Sequence, residues 1–240
     1  MSRPPKSYAL WIAGHCLKLL FTLLIAAVCF FMIWRVFISA NPPAAMDRLA
    51  PNEALVAAYR AHGNDLQLYN QKQPSITKGD ENYGYFGVTH FVFIPEAGQL
   101  QLTLRYNNST LKYTKEALGL PERPPRGEEV FDVSVVQVVD LTPDNLEDNT
   151  DGSITLQQVR FSPTSHIIDT TALYTYILYT FDGVTVGDDT VAAYLDVYYG
   201  LTPDYTTTAF GTLRLYHRDD PKLEVKLTAK EEKLLKEYEN

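Results

Sequence analysis

The sequence predicts a mainly β protein: an antiparallel β-sandwich, or an open barrel, with one N-terminal transmembrane helix and short flanking helices. Three observations predict it. Residues 17–38 form one nearly unbroken apolar run. From residue 66 onward the apolar residues recur with period two, in segments separated by Gly, Pro, Asp and Asn clusters. No helical rhythm alternates with those segments, which excludes a parallel α/β architecture.

Composition bounds the function classes. The chain has 240 residues, 45% of them hydrophobic and 21% charged, which excludes a disordered or low-complexity chain. Asp and Glu number 29 against 21 Lys and Arg, which excludes nucleic-acid binding by bulk positive charge. The sequence divides into an N-terminal tail (1–16), a transmembrane anchor (17–38), a spacer (39–50) and a β-rich body (51–240).

The anchor reads LLFTLLIAAVCFFMIW over 19–34, with Thr22 its one hydroxyl. Twenty-two helical residues extend about 33 Å, enough for a hydrocarbon core of about 30 Å. Lys18 and Arg35 sit where long side chains reach the headgroups, and Trp11 and Trp34 suit the interfaces. Arg3, Lys6 and Lys18 precede the apolar core, so the tail is expected in the cytosol and the body outside. A cleaved signal peptide is the alternative; the run exceeds an ordinary signal core, and Pro42 and Pro43 crowd the nearest small residues. The first 38 residues hold four bases and no acid, so the rest carries 17 bases, 29 acids and a formal charge of −12. Such a body suits basic partners or divalent cations. Both cysteines, Cys16 and Cys29, lie at or in the anchor, which leaves the body without a disulfide or thiol nucleophile.

The body opens on a helix over 51–62. Pro51 fits a first helical position, Leu55, Ala58, Tyr59 and His62 share one face, and Gly63 stops it. A short strand follows at 66–69. Residues 83–94 form a long strand in which Gly84 and Gly87 signal a bulge or kink. Residues 99–106 alternate cleanly, with Leu100, Leu102, Leu104 and Tyr106 inward and Gln101, Thr103 and Arg105 outward, so the pair reads as a half-buried hairpin. Residues 110–118 read as a short helix or an irregular excursion. Further strands are expected at 130–141, 154–161, 173–181, 191–199, 209–217 and 223–227. The run TAKE at 228–231 is a capping-box signal for a closing helix over 228–238, with Leu234, Leu235 and Tyr238 as its apolar stripe.

The single anchor, the acidic β-rich body, the strand GTLRLY at 211–216 and the Thr228-capped last helix resemble uncharacterised membrane-anchored envelope proteins of Gram-positive bacteria. That resemblance implies a cell-envelope setting and brings no activity or site residues.

Candidate chemistry is sparse. The loop at 147–158 resembles an EF-hand-type calcium loop: Glu147, Asn149 and Asp151 alternate, Gly152 follows at position six and Ser153 at seven. It departs from that pattern at Glu147 and at Gln158, and an acidic turn between strands needs no ion. Calcium is the one cofactor candidate. Asp182, Gly183, Gly187, Asp188 and Asp189 read as a hairpin turn. The histidines 15, 62, 90, 166 and 217 show no metal spacing, and no nucleophile-elbow, P-loop or dinucleotide motif occurs.

Tyrosine is the compositional oddity, with eight of 16 between Tyr174 and Tyr216. On residues 191–199 one face carries Ala192, Tyr194, Asp196 and Tyr198. An aromatic face beside a carboxylate suits a sugar ring or a protein partner. Tyr194, Asp196 and Tyr198, joined by Tyr174 and Tyr176, are therefore the candidate ligand-binding residues. The expected function is a non-catalytic, membrane-tethered binding or assembly module holding an envelope glycan or a membrane-protein partner. The alternatives are an extracytoplasmic glycan hydrolase with paired carboxylates in a cleft, and an accessory subunit whose anchor makes the contacts through His15, Cys16 and the Ala26-Ala27 pair.

Overall fold

The computed structural model describes residues 6–71, 75–76, 85–140, 156–200 and 209–238. It divides into two compact units, Met1–Asn41 and Pro42–Asn240. The first is a helix, α1 (Lys6–Ala40), whose stretch Trp11–Ile38 is long and apolar enough to cross a membrane. That stretch has 28 residues, so it exceeds the expected run of 17–38. The reason is the uncharged segment from Trp11 to Leu17, interrupted from the main run by Lys18 alone. None of its most apolar window is buried inside the protein, unlike a core helix. Thr22 spends its hydroxyl on the Lys18 carbonyl at 2.9 Å, which satisfies the donor within the helix.

In the second unit α2 (Glu53–His62) is followed by β1 (Leu68–Asn70), β2 (Ser75–Ile76), β3 (Phe86–Ile94) and β4 (Gln99–Asn107). Then come α3 (Asn108–Ala117), β5 (Phe131–Asp140), β6 (Leu156–Phe161), β7 (Ser165–Thr170) and β8 (Tyr174–Asp182). The chain closes with β9 (Thr190–Tyr199), β10 (Gly211–His217), β11 (Leu223–Val225) and α4 (Ala229–Tyr238). One sheet has the order β11-β1-β3-β4-β8-β7 and the other β2-β10-β9-β5-β6. Every pairing of these strands is antiparallel. The inner faces share one core. Leu100, Leu102, Leu104, Ile177 and Tyr179 of the six-stranded sheet meet Val133, Val135, Leu195 and Val197 of the five-stranded one. Phe131 lies at its aromatic centre, with Phe86 and Tyr106 edge-on at 5.0 and 5.1 Å. The fold is thus the mainly β, two-sheet antiparallel architecture that the period-two pattern predicts.

Four local expectations change. Pro51 lies before α2 rather than at its first helical position: Asn52 is the cap, its Oδ1 accepting from the Leu55 amide at 2.9 Å. The strands β2 and β7 escaped the pattern, because β7 is an edge strand whose residues stay mostly solvent-facing. The connection 183–189 is no hairpin, since β8 and β9 belong to different sheets; the loop crosses between them and buries Val184 in the core. The outward face of β4 is not wet. Gln99, Gln101 and Thr103 are fully buried.

The cover over that face is a strap, residues 43–52. The Ala50 amide donates to Gln101 Oε1 at 2.7 Å and Gln101 Nε2 donates back to the Ala50 carbonyl at 2.9 Å. Thr103 donates to the Met46 carbonyl at 2.6 Å, and Gln99 Nε2 to Asn52 Oδ1 at 3.0 Å. The polar residues that read as solvated are therefore the receptors of another segment's backbone, which is how buried polar groups are kept satisfied. Beside the strap, Leu55, Val56, Ala58 and Tyr59 of α2 and Leu235 of α4 pack on Leu68, Val92 and Ile94.

The hairpin of β3 and β4 forms as expected, with Gly98 in the left-handed region at φ 60°. Its bulge falls between Val88 and His90, just after Gly87. The capping box also forms: Thr228 Oγ1 accepts from the Glu231 amide while Glu231 Oε2 accepts from the Thr228 amide at 2.8 Å. Of the expected α4 stripe only Leu235 is buried; Tyr238 is exposed.

Candidate functional site

The site is built on β9. Its alternation sends Ala193, Leu195, Val197 and Tyr199 into the core and turns Tyr194, Asp196 and Tyr198 to the outer face of the five-stranded sheet. Register then sets the neighbours. Asp196 lies between Ser134 on β5 and Thr212 on β10, and Tyr194 between Val136 and Arg214. Arg160 of β6 pairs with Val136, one strand further out.

These side chains form one network around the Asp196 carboxylate. Oδ1 accepts from Thr212 Oγ1 at 3.0 Å. Oδ2 accepts from Tyr198 Oη at 3.2 Å and faces Arg160 Nη2 at 3.3 Å. Arg160 Nη1 donates to Tyr198 Oη at 2.9 Å and also reaches Ser134 Oγ. The guanidinium carbon stands 5.6 Å from the centroid of the Tyr198 ring. Burial pushes the Tyr198 phenol up, the Arg160 hydrogen bond opposes that shift, and the Asp196 charge adds to it. The Asp196 side chain is 15% exposed and that of Arg160 51%, so the carboxylate is a sunken anchor and the guanidinium a solvent-facing cap. Beside them Arg214 pairs with Asp220 at 3.2 Å.

Tyr174 and Tyr176 do not join this face. They lie on β8, on the outer side of the six-stranded sheet. Tyr176 is fully buried with Met46 and Leu178 beneath the strap. Tyr174 is half-buried, with the Arg105 guanidinium 4.7 Å from its ring centroid. Physically, the strap converts that side of β8 into a second small core, so these two tyrosines are packing residues. The candidate calcium ligands Glu147, Asn149, Asp151 and Ser153 lie outside the described residues. Among the described residues no group of three or more His, Cys, Asp and Glu side chains is placed to hold a metal ion.

The residues missed from sequence are Arg160, Ser134 and Thr212. Arg160 and Thr212 reach Asp196 from strands 36 and 16 positions away, and Ser134, 62 positions away, joins through Arg160; strand order is not written in any local pattern. The one usable signal was Arg160 itself, a lone base inside a strand.

Fold and site together define a two-sheet antiparallel β-sandwich with an organised polar–aromatic outer face, on a chain whose N-terminal helix can cross a membrane. No protein-family model matches the chain, and neither a curated protein nor a solved structure matches it.

Proposed function

We propose that the chain is a membrane-tethered, extracytoplasmic binding or assembly module of a cell envelope. Its outer five-stranded face holds a protein partner near the membrane. The single observation that carries this reading is the contrast between the two outer faces. One is sealed by the strap, α2 and α4. The other keeps Arg160, Tyr194, Tyr198 and Arg214 partly accessible to solvent, with Arg160 and Tyr198 held by Asp196 and Arg214 by Asp220. Tyr and Arg are the side chains that dominate interface energetics, because each offers large contact area with a polar tip. Pre-ordering them lowers the entropy cost of association. A protein is favoured over a glycan because the Arg160 guanidinium covers the Tyr198 ring face on which a sugar would stack.

The test places a photo-crosslinking residue at position 194 or 198 in the full chain, in intact cells. Protein adducts are expected from both positions, absent from a control at exposed Lys233 and lost when Arg160→Glu breaks the network. Adducts with wall glycan would replace the protein partner by a glycan. No adduct, or the same adducts from the control, would remove this face from the account.

A further inference from the structure

The strap lies over a buried, unpartnered histidine nitrogen on β3. Met46 and Leu49 anchor the strap, at 1% and 3% exposure, and the Leu49 amide donates to Glu231 Oε1 at 3.3 Å. His90 sits on β3 directly across from Thr103, the residue that binds the Met46 carbonyl. It lines a small void with Leu49, Leu68, Val92, Leu227 and Glu231. Its Nε2 is buried and has no hydrogen-bond partner.

An imidazolium needs a partner for each of its two N–H groups. The groups of opposite charge facing His90 are Asp47 of the strap and Glu231 of α4; Lys226, also on the void, faces it with like charge. Glu231 is already committed on both oxygens. Oε1 holds the Leu49 amide, and Oε2 holds the amide and hydroxyl of Thr228. Turning Glu231 toward a charged His90 therefore releases either the strap or the α4 cap.

We propose that residues 43–52 form an acid-released clasp: proton uptake at His90 unseats the strap from β4 and converts it into free linker between the membrane helix and the sandwich. Ten extended residues add at most about 35 Å of reach. Burial holds the His90 imidazole below its ordinary value of 6.5, and Asp47 and Glu231 only partly oppose that shift. The sign follows. The closed form favours neutral His90, so the clasp is fully held above pH 6.5 and weakens as pH falls below it.

Amide hydrogen exchange on the full chain in lipid nanodiscs, at pH 7.5 and 5.5 and corrected for intrinsic rates, tests the clasp. Protection of the Leu49 and Ala50 amides should fall at the lower pH, by at most about tenfold, because pH 5.5 lies one unit below the ordinary histidine value of 6.5. Protection of Val135 and Leu195, in the other sheet, should hold. His90→Phe should keep the strap protected at pH 5.5; His90→Gln repeats the test with a polar, uncharged side chain where phenylalanine disturbs packing. Equal or greater strap protection at pH 5.5 in the unmodified chain would overturn the proposal. So would a loss that persists in both variants, or one shared equally by Val135 and Leu195.

Discussion

Asp196 is the residue on which the outer face depends. It is the common acceptor for Arg160, Tyr198 and Thr212, three donors from three strands. Removing a mostly buried acceptor leaves its donors to be resolvated or orphaned, which costs more than the net value of a made bond. Asp196→Ala should therefore destabilise the sandwich by about 1–2 kcal/mol in chemical denaturation. The exposed Arg160 contact alone is worth under about 1 kcal/mol. If Asp196→Ala and Arg160→Ala cost the same, the carboxylate is not the hub. Residue chemistry was legible here: Tyr194, Asp196 and Tyr198 share a face because strand parity demands it. What was illegible is that Tyr176, of the same type and also on a strand, lies buried under a strap with Met46 and Leu178.

Among elements, α4 has the most to lose from one small change. Thr228 and Glu231 close a reciprocal cap, and Glu231 also receives the Leu49 amide. Thr228→Ala should cost about 1 kcal/mol, the usual value of a lost N-cap. Glu231→Ala should cost more, since it frees both the helix and the strap. Equal losses in urea melts would show that the Leu49 contact contributes nothing. This cap was readable because it is local: two residues three positions apart with defined chemistry. The strands β3, β4, β5, β8 and β9 were readable for the same reason, their period being two. The sheet crossing at 183–189 was not, because Asp and Gly serve a hairpin turn and a crossover loop equally well. Nor was the burial of Gln99, Gln101 and Thr103, which depends on a strap 47 or more positions earlier in the chain.

At the scale of the whole molecule, the parts differ in charge as well as in fold. The first 38 residues carry four bases and no acid, whereas the remainder carries a formal charge of −12. That asymmetry, with the Trp11–Ile38 helix, is what supports the proposed placement of the body outside and of the anchor's basic flank inside. The body contains no cysteine, so a single label can report its location. The direct measurement replaces Cys16 and Cys29 by serine, introduces Glu237→Cys on exposed α4, and treats intact cells with a membrane-impermeant maleimide. Position 237 should be labelled before lysis, and the labelled chain should leave the membrane fraction only with detergent. Labelling only after lysis, or a labelled chain free in solution, would contradict that placement.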